Sequence, residues 1–185
     1  IDTPDTYAHS GDWRADIAFR GDRAFVTGRS DLRVFDVSDP AAPELSAGIA
    51  AHACFEQIAV DGDAALIADI DAGLRVLDVG DAHPPRHVGL IASRHVAGVT
   101  ATLAGAFAYA GDQTAETDTI AAFDVPDDGS LVARGRVASP TVHGIAIAGR
   151  TGYVACGESG LVIVDVADPA APSLLVRIEP PGRSV

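Results

Sequence analysis

One segment recurs along the chain at a near-constant interval, and that repetition restricts the fold more than any other feature of the sequence. LRVFDVSDPAAPEL (32–45), LRVLDVGDAHPPRH (74–87) and LVIVDVADPAAPSL (161–174) are copies of one another, and IAAFDVPDDGSL (120–131) is a degenerate fourth. The aspartates that anchor them, Asp36, Asp78, Asp124 and Asp165, are 42, 46 and 41 residues apart. Periods of this size belong to solenoids and propellers, in which each repeat is one supersecondary unit that buries its apolar faces only against its neighbours.

A fainter motif precedes each copy: IAFRGDRAFVTG (17–28), IAVDGDAALIAD (58–69), TATLAGAFAYAGD (100–112) and IAIAGRTGYVACG (145–157). Each sets two short apolar runs on either side of a glycine, and Gly21, Gly62, Gly105 and Gly149 are 41, 43 and 44 residues apart. Gly-Asp at 21–22 and 62–63 suits a tight hairpin that needs positive φ. One repeat therefore predicts four strands: in the first copy Ile17–Phe19, Ala24–Val26, Leu32–Val37 and Glu44–Ile49. The Asp-Pro-Ala-Ala-Pro runs at 39–43 and 168–172 stop strands, because the carboxylate accepts turn amides and proline has no N–H to give a ladder. Crossover helices would need longer stretches with a 3.6 period, and none is present. The apolar run Leu161–Val164 predicts a third strand buried on both faces, as in a propeller blade between two neighbours. The expected fold is all-β, a propeller of four-stranded antiparallel blades, about four of them, with repeats near 15–56, 57–98, 99–143 and 144–185 in one domain.

Residues 161–165 read LVIVD, and over 161–172 the chain resembles the LVIVD-repeat family of bacterial and archaeal β-propellers. The resemblance covers nearly the whole chain. It is strong in the first, second and fourth copies and weak in the third, where Pro126, Asp127 and Asp128 replace the Ser-Asp-Pro turn. It implies a scaffold in an extracellular, cell-surface or periplasmic location, with no catalytic residue to carry over. Ile1–Pro4 and Ile178–Pro181 share the same repeat phase, so the chain spans four periods. Three completions follow: a portion of a larger seven- or eight-bladed ring, a closed four-bladed ring, or a ring completed by a second chain.

Composition narrows the partners. At 48% hydrophobic residues the chain is too apolar for disorder, and the net charge of −13 repels phosphate backbones and anionic membranes. Nucleic acid is excluded, no apolar run is long enough for membrane insertion through a helix, and the expected partner is a protein or surface polymer, or further blades. Cys54 and Cys156 fall in blades two apart, which argues for buried thiols rather than a disulfide.

Propellers bind at the face formed by the loops entering the first strand and those between the second and third. Counting from the turn glycines, the first set supplies Asp16, His52, Cys54, Glu56, Gln57, His95, Thr141 and His143. The second supplies Arg29, Asp31, Asp69, Asp71, Asp112, Glu116, Asp118, Cys156 and Glu158. The binding-face candidates are His52, Glu56, Gln57, Asp69, Asp71, His95, Asp112 and His143. His52 and His95 each lie ten residues before a turn glycine, and with His143 they form a weak candidate for a copper or zinc site. The spacings of Asp69–Asp71 and Asp112–Asp118 match no known calcium loop. His83 and His87 fall at the opposite end, and Trp13 precedes the first strand. No nucleophile elbow, phosphate loop or dinucleotide fingerprint occurs, so no cofactor is implied. The leading expectation is a non-catalytic binding module; the alternative is a propeller enzyme using His52, His95, His143 and Glu56 at the channel mouth.

Overall fold

The computed structural model describes residues 15–28, 31–50, 55–69, 72–92, 96–101, 107–114, 117–125 and 131–180. Strands β1 (Ile17–Arg20), β2 (Arg23–Thr27), β3 (Asp31–Asp36) and β4 (Glu44–Ala50) form the first sheet. The second holds β5 (Phe55–Asp61), β6 (Ala64–Asp69), β7 (Gly73–Asp78) and β8 (Arg86–Ala92). The third holds β9 (Val96–Ala101), β10 (Phe107–Thr114), β11 (Thr117–Asp124) and β12 (Val132–Ala138), and the fourth β13 (Gly144–Ala148), β14 (Thr151–Ala155), β15 (Leu161–Asp165) and β16 (Ser173–Ile178). Each sheet is an antiparallel meander in chain order, which is the propeller blade that the repeat predicts.

The repeated residues build repeated local structure. Gly21, Gly62 and Gly149 take φ of 56°, 53° and 61° in the first hairpin of their blades, where no other residue fits without strain. The amide after each anchoring aspartate then closes onto that hairpin: Val37, Val79 and Val166 donate to the carbonyls of Asp22, Asp63 and Arg150 at 2.8, 2.7 and 2.9 Å. The ladder between third and fourth strands bulges at one repeat position in all four blades, at Val34/Phe35, Val76/Leu77, Ala122/Phe123 and Ile163/Val164. Each bulge sits immediately before the anchoring aspartate and bends the outer strand at the start of the turn.

Those aspartates hold the turns. The carboxylates of Asp36, Asp78 and Asp165 accept the amides two residues on, Ser38, Gly80 and Ala167, at 2.9, 3.0 and 2.9 Å. Asp39 and Asp168 do the same for Ala41 and Ala170, both at 2.9 Å. In the third copy the residue two beyond Asp124 is Pro126, which has no N–H, and the Oδ1 of Asp124 is buried without a partner. Its Oδ2 takes the Arg134 guanidinium instead.

Apolar side chains are buried between successive blades. Phe25, Leu32 and Val34 of the first sheet meet Ile58, Ala65, Ile67 and Leu77 of the second. Leu66, Leu74 and Val76 meet Ala108, Ala121 and Phe123 of the third, and Tyr109, Ile120 and Ala122 meet Val154, Val162 and Val164 of the fourth. First strands lie side by side, with β5 against β1 and β9, and β9 against β13, so they form the inner edge. Among the described residues no core joins the fourth sheet to the first. Ile17 and Phe19 on β1, and Tyr153, Val176 and Ile178 on the fourth sheet, stay exposed.

The blades form an open arc. Of the three completions, the closed four-bladed ring is therefore not what this chain adopts. The expectation that Leu161–Val164 is buried on both faces is also corrected: only Val162 and Val164 are buried, while Leu161 and Ile163 are partly open. Burial of both faces needs a neighbour on each side, and the fourth blade has one; β7, in an inner blade, is buried on both.

Candidate functional site at the mouth of the arc

The end carrying the loops into the first strands is built from four blades. Asp16 caps it on the first: its Oδ1 accepts the Ile17 amide at 2.9 Å, and its Oδ2 reaches the Ile58 amide of the second blade at 3.1 Å. Thr27 locks that aspartate, accepting the Asp16 amide at 2.9 Å and donating to its carbonyl at 3.2 Å. Gln57, on β5, donates from Nε2 to the carbonyl of His143 at 3.0 Å, linking the second and fourth blades across the inner edge. The His143 amide donates to the Ala155 carbonyl at 2.8 Å, and its exposed ring lies over Gly157, where a Cβ would come within 2.9 Å of Nε2. Gly157 also has a φ of 55°, so glycine serves there twice.

On the third blade Asp118 accepts Thr141 Oγ1 at 2.7 Å through its carboxylate and the Ser139 amide at 2.9 Å through its carbonyl. Ser139 Oγ lies 3.7 Å from the Sγ of buried Cys156. Beside this cluster a shallow groove of about 410 Å³ is lined by Asp118, Ala138, Ser139, Pro140, Val162, Leu174 and Arg177.

Of the sequence-level candidates, Gln57 and His143 come together. Asp69 is fully buried and paired with the Arg75 guanidinium, which makes it a strut between β6 and β7 rather than a ligand-facing group. Glu56 and Asp112 fall in β5 and β10 by their backbone. His52, Asp71 and His95 lie outside the described residues, as do Cys54, Arg29, Glu116 and Trp13. The three-histidine metal site and the convergence of His52, His95 and Glu56 on His143 therefore involve positions beyond the described set. Among the described residues no group of three or more His, Cys, Asp or Glu side chains is gathered as metal ligands would be.

At the opposite end, His83 and Arg86 converge on Asp78, with His83 Nε2 at 3.1 Å and Arg86 at 2.7 Å. The Gly80 amide, and then Arg86, hold the Asp78 carboxyl below the usual carboxylate range. The Ser38 amide does the same for Asp36, and Arg23 for Asp81. Burial pushes the Tyr109 hydroxyl up, while it donates to the Val166 carbonyl at 3.2 Å between the third and fourth blades.

Sequence reasoning missed the groove residues Ser139, Pro140 and Arg177, because the groove forms where the chain crosses from β12 into the next blade. It also missed a clamp between the first two blades. Arg20 bonds Asp63 and Asp81 and donates to the Gly62 carbonyl at 2.8 Å, and Arg23 reaches Asp81 at 2.6 Å and the Val79 carbonyl at 2.9 Å. The signal was present: arginines flank Gly21-Asp22, and acids stand at the matching turns of the next repeat.

A family model described as LVIVD repeat matches residues 14–49, 55–89 and 141–179, leaving the degenerate third copy unmatched. No curated protein matches the sequence. Among solved structures, a protein of unknown function from Desulfotomaculum acetoxidans aligns with a TM-score of 0.73 at 17% identity, over 89% of this chain and 56% of that one. A candidate 6-phosphogluconolactonase from Bacteroides fragilis aligns at 0.70 and 15% identity, over 86% and 52%. A computationally designed protein aligns at 0.64 and 12% identity, over 85% and 95%. At these identities the likeness concerns the fold, and this chain spans about half the length of the two natural proteins.

Proposed function

Because the chain belongs to the LVIVD-repeat family, we propose that it is a non-catalytic propeller scaffold acting outside the cytoplasm, whose mouth binds a protein segment or a surface polymer. The observation that supports this reading best is the Gln57–His143 bridge between non-adjacent blades. It fixes the inner strands at the mouth, so the exposed His143 ring and the Thr141–Asp118 pair stand on a floor that does not have to order itself on binding. The net charge of −13 favours a neutral or basic partner. The location outside the cytoplasm rests on the family resemblance. Among the described residues no helix is long and apolar enough to cross a membrane.

Arrays of basic and neutral peptides and of surface glycans, probed with the 185-residue chain, test this reading. A specific signal that falls about tenfold with His143→Ala or Thr141→Ala, and is unchanged by Asp22→Ala at the far hairpin, is the expected result. Binding that ignores both mouth substitutions would overturn it.

A further inference from the structure

The groove between the third and fourth blades lies where the repeat has changed. Positions 87 residues apart are equivalent in the second and fourth blades, as Asp78 and Asp165 are. In the second blade Arg75 lies on the same face of β7 as Leu77, which packs against the first blade, and its guanidinium is spent on buried Asp69. At the equivalent positions the fourth blade has Val162 and Cys156, which are smaller and carry no such ion pair. The arginine stands one strand further out: Val162 is paired with Arg177 on β16, whereas Arg75 is paired with Leu90 on β8. The fourth blade therefore leaves a groove of about 410 Å³ against the third, with Ala138, Pro140, Val162 and Leu174 as its apolar lining.

The groove also carries two unspent charges. Asp118, on the third blade, uses Oδ2 to accept Thr141, and its Oδ1 has no partner among the described residues. Arg177, on the fourth, donates from Nε to the Ser159 carbonyl at 3.3 Å, and its two terminal nitrogens have no partner among the described residues. No ion pair joins the two residues. A cavity of ligand size with an apolar lining and two opposite charges that do not neutralise each other is complementary to a dipolar ligand with an apolar body.

We propose that this groove holds the C-terminal lysine of a partner protein, its ammonium on Asp118 and its terminal carboxylate on Arg177. The proposal rests on the reading of the mouth as a protein-binding surface and gives that partner its chemistry. One free carboxylate oxygen suits the compact charge of an ammonium, whereas a guanidinium needs two acceptors for its fork. With Nε engaged, the paired terminal nitrogens of Arg177 remain to take a carboxylate bidentately. The alkyl stem of the lysine covers the apolar lining between them. A lone anion is disfavoured by the net charge of −13, and a lone cation leaves Arg177 unmatched.

Fluorescence anisotropy of dansyl-labelled Gly-Ala-Gly-Lys with the 185-residue chain tests the proposal. The peptide with a free carboxylate is expected to bind about tenfold more tightly than its C-terminal amide, and about tenfold more tightly than the same peptide ending in norleucine. Asp118→Asn, which keeps an acceptor for Thr141, removes the preference for lysine over norleucine and leaves the preference for acid over amide. Arg177→Gln, at an exposed side chain, does the reverse. Absence of binding, equal binding of all three peptides, or variants that weaken all three alike would each overturn the proposal. So would free lysine competing as strongly as the peptide, since the site would then take an amino acid and no protein terminus. If any of these results is found while an array signal still falls with His143→Ala, this groove assignment fails and the reading of the mouth stands.

Discussion

A single carboxylate repeated at one position organises every blade, and its energetics vary with what lies two residues on. Asp78 receives the Gly80 amide together with Arg86 and His83, whereas Asp124 meets a proline and keeps an orphaned oxygen. Asp78→Ala is expected to lose about 1–2 kcal/mol in urea denaturation. Asp124→Ala loses less, because removing the orphan also removes its desolvation penalty. Equal losses at both positions would refute this account of the turn. Titration supplies a second test. Asp36, Asp78 and Asp81 titrate below their ordinary 3.8 in the folded chain, so the unfolded chain takes up protons first as pH falls. Their contribution is complete above that value and is lost as pH drops through the lowered values. Tyr109 works in the other direction: raised above 10.0, it contributes fully below that pH, and the contribution is lost as pH climbs through the raised value. Calorimetry should therefore show the melting temperature declining below pH 4 and again above pH 10, and a flat profile at both ends would count against both assignments. The aspartates were legible in the sequence because their role is local. The pairing of buried Asp69 with Arg75 was not, since Asp69 reads in sequence as another acidic loop residue.

At the scale of elements, the hairpin glycines, the four strands per repeat and the turn prolines all follow from residue chemistry that acts within a few positions. The bulge before each anchoring aspartate and the clamp between the first two blades do not, because both depend on what faces the strand from outside it. Gly135 on β12 illustrates this. A Cβ there would come within 2.6 Å of the carbonyls of Pro169 and Ala170, in the Asp-Pro-Ala-Ala-Pro turn of the next blade. That turn, read from sequence as a strand stop, also seats the outer strand of its neighbour. Gly135→Val is expected to destabilise the chain by about 1–3 kcal/mol, because backbone on both sides must move. Unchanged stability in the same denaturation would show that the contact is loose. Arg20→Ala is expected to lose only about 1 kcal/mol, since its acidic partners are largely exposed. The loss should shrink in molar salt; one that does not would mean that the guanidinium acts through packing instead.

For the whole molecule, the period announced a propeller and the composition announced an acidic, packed chain, but neither states how many blades a ring needs. Closure depends on the rotation between blades, a sum of small twists that no local motif records. The mouth was partly legible for the same reason: the period places Gln57 and His143 at one end, yet only folding shows that they meet across the arc. The central claim is that this chain is an open arc, with two inner blades covered on both faces and two outer blades covered on one. Amide hydrogen exchange on the chain tests that most directly. The account predicts slow exchange in β6, β7, β10 and β11 and markedly faster exchange in β2, β3, β14 and β15. Equal protection of all four blades would mean that the fourth blade packs on the first within one chain, and would contradict the open arc.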